Sequence, residues 1–309
     1  MSALESYILP GDAVFPEGIV VRADEFFASS FTQGTIYRGR LDRASAEVFL
    51  AGGTDGRTSA LGLALDRRGH LFVCGGATGL AFVYDADSGK LIRRFDNGLA
   101  KTIDPMQPKA FLNDVTTLPS GDAFLTDSIV PMLYRIPAEA VAGAGLDAPQ
   151  GDGRLEPWLS FADTPLRYQF GNDVIASLNL NGIASTADGR YLIVVQTNTG
   201  RLFRIDVASK RVDTIGGVDA PGGDGLVLEG QTLYVIHVDP VPILRFRLGA
   251  DFLSGEPDPL PRQPSLKAPT TAAFARGRLL VVNSQFDKLF YGGRSEPPFE
   301  VSSVDVGAA

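Results

Sequence analysis

Cysteine is almost missing from this chain. Cys74 stands alone, so no internal disulfide can form. It lies between Val73 and Gly75 without a nearby His-containing motif, and reads as a small buried residue rather than a nucleophile. Basic charge is also short: 28 Lys and Arg face 36 Asp and Glu, for a net charge of −8. No basic cluster stands out. Nucleic-acid binding needs a positive surface, so nucleic acid is excluded as a partner, and an anionic membrane surface is disfavoured for the same reason. No apolar run approaches the roughly 20 residues of a membrane span. The opening MSALESYILPGDAVF has no basic n-region, apolar core or cleavage site, so no secretory signal is predicted, and a cytoplasmic location is the expectation. The pairs Gly75-Gly76 and Gly222-Gly223 have neither a phosphate-loop lysine nor a Rossmann-type setting, which excludes a nucleotide site of those kinds.

What is present is a repeat. Hydrophobic residues make up 44% of the chain, and 35 glycines and 20 prolines punctuate them. A short apolar run, a turn with Gly or Asp, a second apolar run and a small polar loop recur six times. The copies begin at Glu17, Leu61, Asn113, Asn181, Asp224 and Thr270. Successive openings lie 44, 52, 68, 43 and 46 residues apart. All but the long interval fit a four-stranded blade of about 40–50 residues. Third runs such as GTIYRGRL, GLAFVYDA and GRLFRIDV alternate apolar and polar positions, as half-covered strands do. Fourth runs follow in several copies, as in AEVFL at Ala46 and KLIRRF at Lys90. The connections are too short and too rich in Gly, Pro and Asp for the helices of an α/β fold. The expectation is all-β: one six-bladed β-propeller spanning residues 1–309, with four-stranded blades. The sixth copy lacks a clear fourth strand, and LESYILP lacks a partner. Pairing the two closes the ring and removes an open edge.

In a propeller the first strand of each blade lines the central channel. The six opening residues therefore share one mouth. Four of them, Glu17, Asn113, Asn181 and Asp224, carry carboxylate or amide oxygens. Hard oxygen donors without His or Cys suit Ca²⁺, with other divalent ions as alternatives. Singly, each reads as a turn former, since Asn-Gly, Asp-Gly and Asn-Asp are ordinary turn dipeptides. Turn chemistry alone does not place all four at the same repeat position, and Glu17 is a poor turn residue.

The stretches FPEG at Glu17, FLND at Asn113, LNGIA at Asn181 and GGDGL at Asp224 also carry a likeness. In order and spacing the chain resembles the SMP-30/gluconolactonase/luciferin-regenerating-enzyme group, which shares its fold and metal arrangement with diisopropylfluorophosphatase. The resemblance implies a six-bladed propeller, a divalent metal, usually Ca²⁺, and hydrolysis of lactones or organophosphate esters. It assigns Glu17, Asn113, Asn181 and Asp224 to the metal and makes Asp224 the candidate base or nucleophile. Sugar-lactone members often have an arginine where this chain has Phe111, which argues against a sugar-acid lactone. Leu226 and Val227 follow Gly225 where the phosphatase pattern has an acid, so no second calcium site of that kind is expected.

Candidate substrate contacts are Phe111, Asp114, Phe170 and His237. Asp114 braces the metal ligands or binds substrate. His237, in VIHVDP, donates a proton to the leaving group, binds substrate, or is structural; Asp239 reads as a turn residue. The long interval holds an insertion at 163–180. Its Leu166, Tyr168, Phe170 and Ile175 either cover the mouth as a lid or pack the loop down. With Met106 and Phe111 they suggest a substrate with a sizeable apolar part. Two alternatives to a metal-dependent hydrolase remain open: a binding propeller without catalysis, and a strictosidine-synthase-like propeller enzyme that condenses amines with aldehydes without metal catalysis.

Overall fold

The computed structural model describes residues 5–99, 108–142, 152–172, 175–237, 241–260 and 262–307. The chain forms six β-sheets arranged as the blades of a propeller. The first blade is Pro16–Arg22, Glu25–Ser30, Ile36–Arg40 and Glu47–Leu50. The second is Leu63–Leu65, His70–Cys74, Leu80–Asp85 and Leu91–Asp96. The third is Leu112–Thr117, Ala123–Asp127, Met132–Ile136 and Glu156–Ser160. The fourth is Leu180–Ser185, Tyr191–Gln196, Arg201–Asp206 and Val212–Thr214. The fifth is Gly223–Glu229, Thr232–His237, Ile243–Leu248 and Gly255–Pro257. In the sixth, Pro269–Ala275, Arg278–Asn283 and Phe299–Asp305 are completed by Ser6–Leu9.

Ser6–Leu9 therefore closes the ring, pairing antiparallel with Phe299–Asp305 from Ser6 opposite Ser302 to Leu9 opposite Phe299. The inner strand of the sixth blade packs on that of the first, as each inner strand packs on its neighbours. Two short strands had no sequence signal. Gly255–Pro257 forms the outer edge of the fifth blade, and Gly153–Arg154 adds a parallel fifth strand to the second. The stretch from Pro137 contains the short helix Ala138–Ala142.

Burial explains the pattern of the repeats. Second strands are sandwiched between neighbouring blades, so both faces are covered and they read as continuous apolar runs. Every residue of Tyr191–Gln196 is buried. Outer strands such as Glu47–Leu50 keep exposed positions. The core is six apolar clusters, one in each seam between adjacent blades. Phe72 and Leu125 share the cluster in the seam of the second and third blades, and Phe124 and Leu192 that in the next. Cys74 is fully buried in the former seam, and burial pushes its thiol pKa well up, as befits a core residue.

Candidate metal centre

The inner strands share a feature that apolar patterning does not reveal. In five blades the register breaks at one place: between Pro16 and Ile19, Leu112 and Val115, Leu180 and Ile183, Gly223 and Leu226, and Pro269 and Ala272. In the first blade Pro16 opposes Ser30 and Ile19 opposes Ala28, so the inner strand carries one extra residue. This is a β-bulge, a device that re-aims side chains. The second blade does the same with Leu61 and Gly62, which both bond to Cys74, at 2.8 and 3.0 Å. The bulged pairs are Glu17-Gly18, Leu61-Gly62, Asn113-Asp114, Asn181-Gly182, Asp224-Gly225 and Thr270-Thr271.

Neighbouring groups satisfy the backbone that the bulges leave over. Gly18 N donates to Ser29 Oγ at 2.7 Å, and Asp114 N to Thr126 Oγ1 at 3.0 Å. Three opening carbonyls are tied to the preceding blade. Asn113 O accepts from Gly62 N at 2.9 Å, Asn181 O from Thr126 Oγ1 at 2.8 Å, and Glu17 O from Thr270 Oγ1 at 2.9 Å. Close approach of successive blades explains glycine at the second bulge position. A Cβ on Gly18 would sit 2.2 Å from Leu61 O, and one on Gly182 would sit 2.3 Å from Asp224 O.

The structure brings Glu17, Asn113, Asn181 and Asp224 to equivalent bulge positions around the channel. Glu17, Asn113 and Asn181 are buried, while Asp224 is half-buried. Glu17 Oε2 and Asn113 Oδ1 are buried without a hydrogen-bond partner. Such orphaned acceptors are uncommon and cost stability unless a ligand meets them. Asn113 Nδ2 donates to Ser128 Oγ at 2.9 Å, which fixes the amide and leaves its oxygen over. The Asn181 amide lies close enough to the Asp224 carboxylate to favour its charged form. Burial pushes the Glu17 carboxyl well above its usual range, and the charges of Asp224 and Asp114 push it further. Burial also raises Asp224; repulsion from Asp114 adds to this and the Asn181 amide opposes it. Two carboxylates that repel each other beside two amide oxygens fit a hard divalent cation. Among the described residues no group of three or more His, Cys, Asp or Glu is placed to hold a metal, so a cation here depends on the amides.

Thr270 has a different task. Its hydroxyl, fully buried, bonds to Glu17 O and to Ser284 Oγ at 2.6 Å. Asp114 is a brace: its carboxylate accepts from Val115 N at 2.8 Å and from Ile183 N of the fourth blade at 3.2 Å. Burial raises its pKa to about 7. His237 ends the second strand of the fifth blade, and its Nε2 hydrogen-bonds to Pro221 O in the loop that enters the Asp224 strand. A carbonyl only accepts, so that nitrogen carries the proton.

Half of the insertion packs down. Leu166 is buried in the seam of the third and fourth blades, and the Tyr168 hydroxyl donates to Asp127 O. Gln196 Nε2 holds Arg167 O at 2.9 Å, and Asn179 exchanges two bonds with Gln169, at 2.8 and 2.9 Å. Phe170 lies on the outside of this segment, 63% exposed and tilted against Tyr168. Met106, Asp239 and the side chain of Ile175 lie outside the described residues.

Several residues at this mouth lie at or just after the ends of second strands, which strand direction places there, but the sequence assigns them no role. Asp127, fully buried, accepts three backbone N–H groups, from Phe111, Ile129 and Val130, at 2.9–3.0 Å through Oδ1. It thereby fixes Phe111 and the start of the Asn113 strand. Ser128 orients Asn113. Phe31 lies 6.4 Å from Phe111 and 5.2 Å from Phe286, so rings of the first, third and sixth blades meet at it; strand direction places the loops that carry Phe31 and Phe286 at this mouth, but nothing in the sequence singles out these two rings.

No family model and no curated protein sequence matches the chain. Among solved structures it is similar to the allergen Mala s 1 of Malassezia sympodialis, at TM-score 0.64 and 14% identity over 98% of this chain and 97% of that one. It is similar to virginiamycin B lyase of Staphylococcus aureus, at TM-score 0.59 and 15% identity over 90% and 81%. It is also similar to regucalcin of Agrobacterium tumefaciens, a calcium-binding protein, at TM-score 0.59 and 14% identity over 99% and 98%. At such identities the likeness establishes the β-propeller fold.

Proposed function

We propose that the whole chain works as one domain, binds one divalent cation, Ca²⁺ by donor type, and hydrolyses lactones or related esters. Glu17, Asn113, Asn181 and Asp224 hold the ion. The observation that carries this reading is the pair of orphaned oxygens, Glu17 Oε2 and Asn113 Oδ1, at equivalent bulges of a ring that also presents Asp224. The likeness to a calcium-binding propeller supports it.

A bound Ca²⁺ supplies positive charge that polarises an ester carbonyl and stabilises a developing oxyanion. The chain supplies the rest. Asp224, a bulge carboxylate less buried than Glu17, takes the proton of an attacking water or attacks the carbonyl carbon itself. The Asn181 amide beside it favours the charged carboxylate. Ser128 holds the Asn113 amide with its oxygen unshared. Asp114 ties the third blade to the fourth and keeps Asn113 and Asn181 in one frame.

The test is metal content measured together with activity. Protein purified without chelator is assayed on a panel of lactones and an organophosphate ester, with and without EDTA. About one Ca²⁺ per chain and chelator-sensitive turnover are the expected results. Bound metal without turnover leaves a calcium-binding propeller without catalysis. Neither metal nor turnover overturns the reading.

A further inference from the structure

We propose that Phe31, Phe111, Phe286 and Phe290 form an aromatic shelf at the metal mouth that binds an apolar alkyl or aryl substituent of the substrate. The inference rests on the hydrolase reading and names the substrate class of that site: esters or lactones with a hydrophobic side chain rather than sugar lactones.

The four rings come from three blades and meet at the end of the ring that carries the bulges. Phe31 directly follows the second strand of the first blade, and Phe111 directly precedes the inner strand of the third. Phe286 and Phe290 begin and end a short helix, Phe286–Phe290, that follows the second strand of the sixth blade. Phe31 is the hub. Its ring centroid lies 5.2 Å from Phe286, 5.8 Å from Phe290 and 6.4 Å from Phe111. Phe286 and Phe290 lie 5.1 Å apart, edge to face. After this packing each ring is still only partly buried. Four large apolar side chains thus offer surface at one place, where a ligand gains by covering it.

The shelf is built rather than incidental. Gln285, which leads into the helix, is buried in the left-handed region at φ 54°, ψ 34°. That conformation is unfavourable for a residue with a Cβ, and such outliers persist where surrounding bonds hold them. Here Gln285 N donates to Lys267 O at 3.0 Å. Its side chain bonds to both Glu296 O and Glu296 N, at 3.0 and 2.7 Å, and its carbonyl accepts from Lys288 N at 2.9 Å. The one cation on the helix, Lys288, pairs with Asp287 and Glu296, each at 3.3 Å.

The shelf is continuous with the metal residues. Phe111 O accepts from Ser128 N at 2.9 Å, and Ser128 Oγ accepts from Asn113 Nδ2 at 2.9 Å. Ser284, two residues before Phe286, bonds to Thr270, which bonds to Glu17 O. Leu61, the apolar opening residue between Glu17 and Asn113, belongs to the cluster on which Phe31 and Phe111 pack. This sector of the mouth is therefore apolar from the ring outward. Phenylalanine rings offer hydroxyl-rich sugars no hydrogen-bonding partner, whereas they gain with each methylene they cover.

The experiment uses full-length Ca²⁺-loaded protein and γ-lactones whose side chain lengthens from methyl to octyl. In parallel, calorimetry measures binding of 3-alkylcyclopentanones, which keep the carbonyl and chain but have no ester bond. The expected result is kcat/KM and affinity that rise roughly fourfold per methylene until the shelf is filled. Phe31→Ala and Phe290→Ala should each lower the octyl-to-methyl ratio at least about tenfold, and Phe31→Leu, which keeps apolar bulk, should retain most of it. Turnover and binding that ignore chain length in the wild-type protein overturn the shelf and leave the hydrolase reading in place. Absent turnover with chain-length-dependent ketone binding, lost in the alanine variants, keeps the shelf and overturns the hydrolase reading. A ratio unchanged in folded alanine variants also overturns the shelf.

Discussion

The fourth and sixth blades carry the same backbone device and use it for different ends. Both inner strands bulge at the second and third residues, Asn181-Gly182 in one and Thr270-Thr271 in the other. In the fourth blade the bulge turns an amide toward Asp224. In the sixth it turns a hydroxyl sideways into the seam, where Thr270 fastens Glu17 O and Ser284. The fold thus provides six equivalent pedestals, and the residue on each decides between a side chain offered to the channel, the proposed ion ligand, and a joint between blades. A propeller can lose its chemistry without losing its frame, which is why fold likeness alone does not carry activity.

The largest effect should come from removing chemistry at a ligand position. Asp224→Asn should lower kcat on lactones by about 10²–10⁴-fold, the usual contribution of a general base, with the circular dichroism spectrum unchanged. Full activity in that variant would sink the role assigned to Asp224. Glu17→Gln should weaken Ca²⁺ binding at least about tenfold by calorimetry, since calcium affinity follows the number of charged ligands. An unchanged Kd would remove Glu17 from the site.

The frame can be attacked separately. Gly182→Ala puts a Cβ against the backbone of the next blade, and should cost about 1–3 kcal/mol in urea unfolding, as overpacking does. Thr270→Val should cost about 1 kcal/mol through its lost hydrogen bonds, while one Ca²⁺ per chain is still found by metal analysis. If that variant binds no metal, the division between joint and ligand fails.

Acidity sharpens the same contrast. Burial raises Asp127 to about 6 and Asp114 to about 7, and raises Glu17 and Asp224 as well. A carboxyl whose pKa is raised by folding favours the folded state below its unfolded value, near 4, and that contribution is lost as pH rises through the folded value. The metal-free protein should therefore melt at a lower temperature at pH 8 than at pH 5.5. Added Ca²⁺ should give a larger gain at pH 8 than at pH 5.5, because it binds the deprotonated site. A scanning-calorimetry series in EDTA and in Ca²⁺ checks both halves; equal gains at the two pH values would argue against ion binding by these carboxylates.

Much of the blade count was legible because second strands, covered on both faces, must be apolar throughout, as in YLIVVQ at Tyr191. The ring closure was legible because LESYILP and the sixth copy each lacked what the other had. Gly255–Pro257 and Gly153–Arg154 were not, since strands of three and two residues are too short to show alternation. The four oxygen-bearing openers stood out by repeat position. The bulge beneath them did not, because one extra residue in a run of seven leaves the apolar pattern almost intact. Asp127 and Phe31 lie at or just after second-strand ends, whose place at the mouth follows from strand direction, but their own roles were not legible, for a related reason. A carboxylate at a strand end looks like a turn former, and an isolated phenylalanine in a loop shows its partners only once blades one, three and six are side by side.

The pairing of Ser6–Leu9 with Phe299–Asp305 also sets the order of assembly. The outer strand of the sixth blade is made before the other five blades and its partner strand after them, so Ser6–Leu9 must wait until Phe299–Asp305 has been synthesised. Joining ends so far apart costs about 5 kcal/mol in chain entropy, a term that grows only logarithmically with length. Five blades can accumulate in sequence, but the sixth forms in one step that joins Ser6–Leu9 to Phe299–Asp305. Until then the first and fifth blades each present an unpaired flank, and a nascent chain is most open to pairing with another copy of itself in that interval.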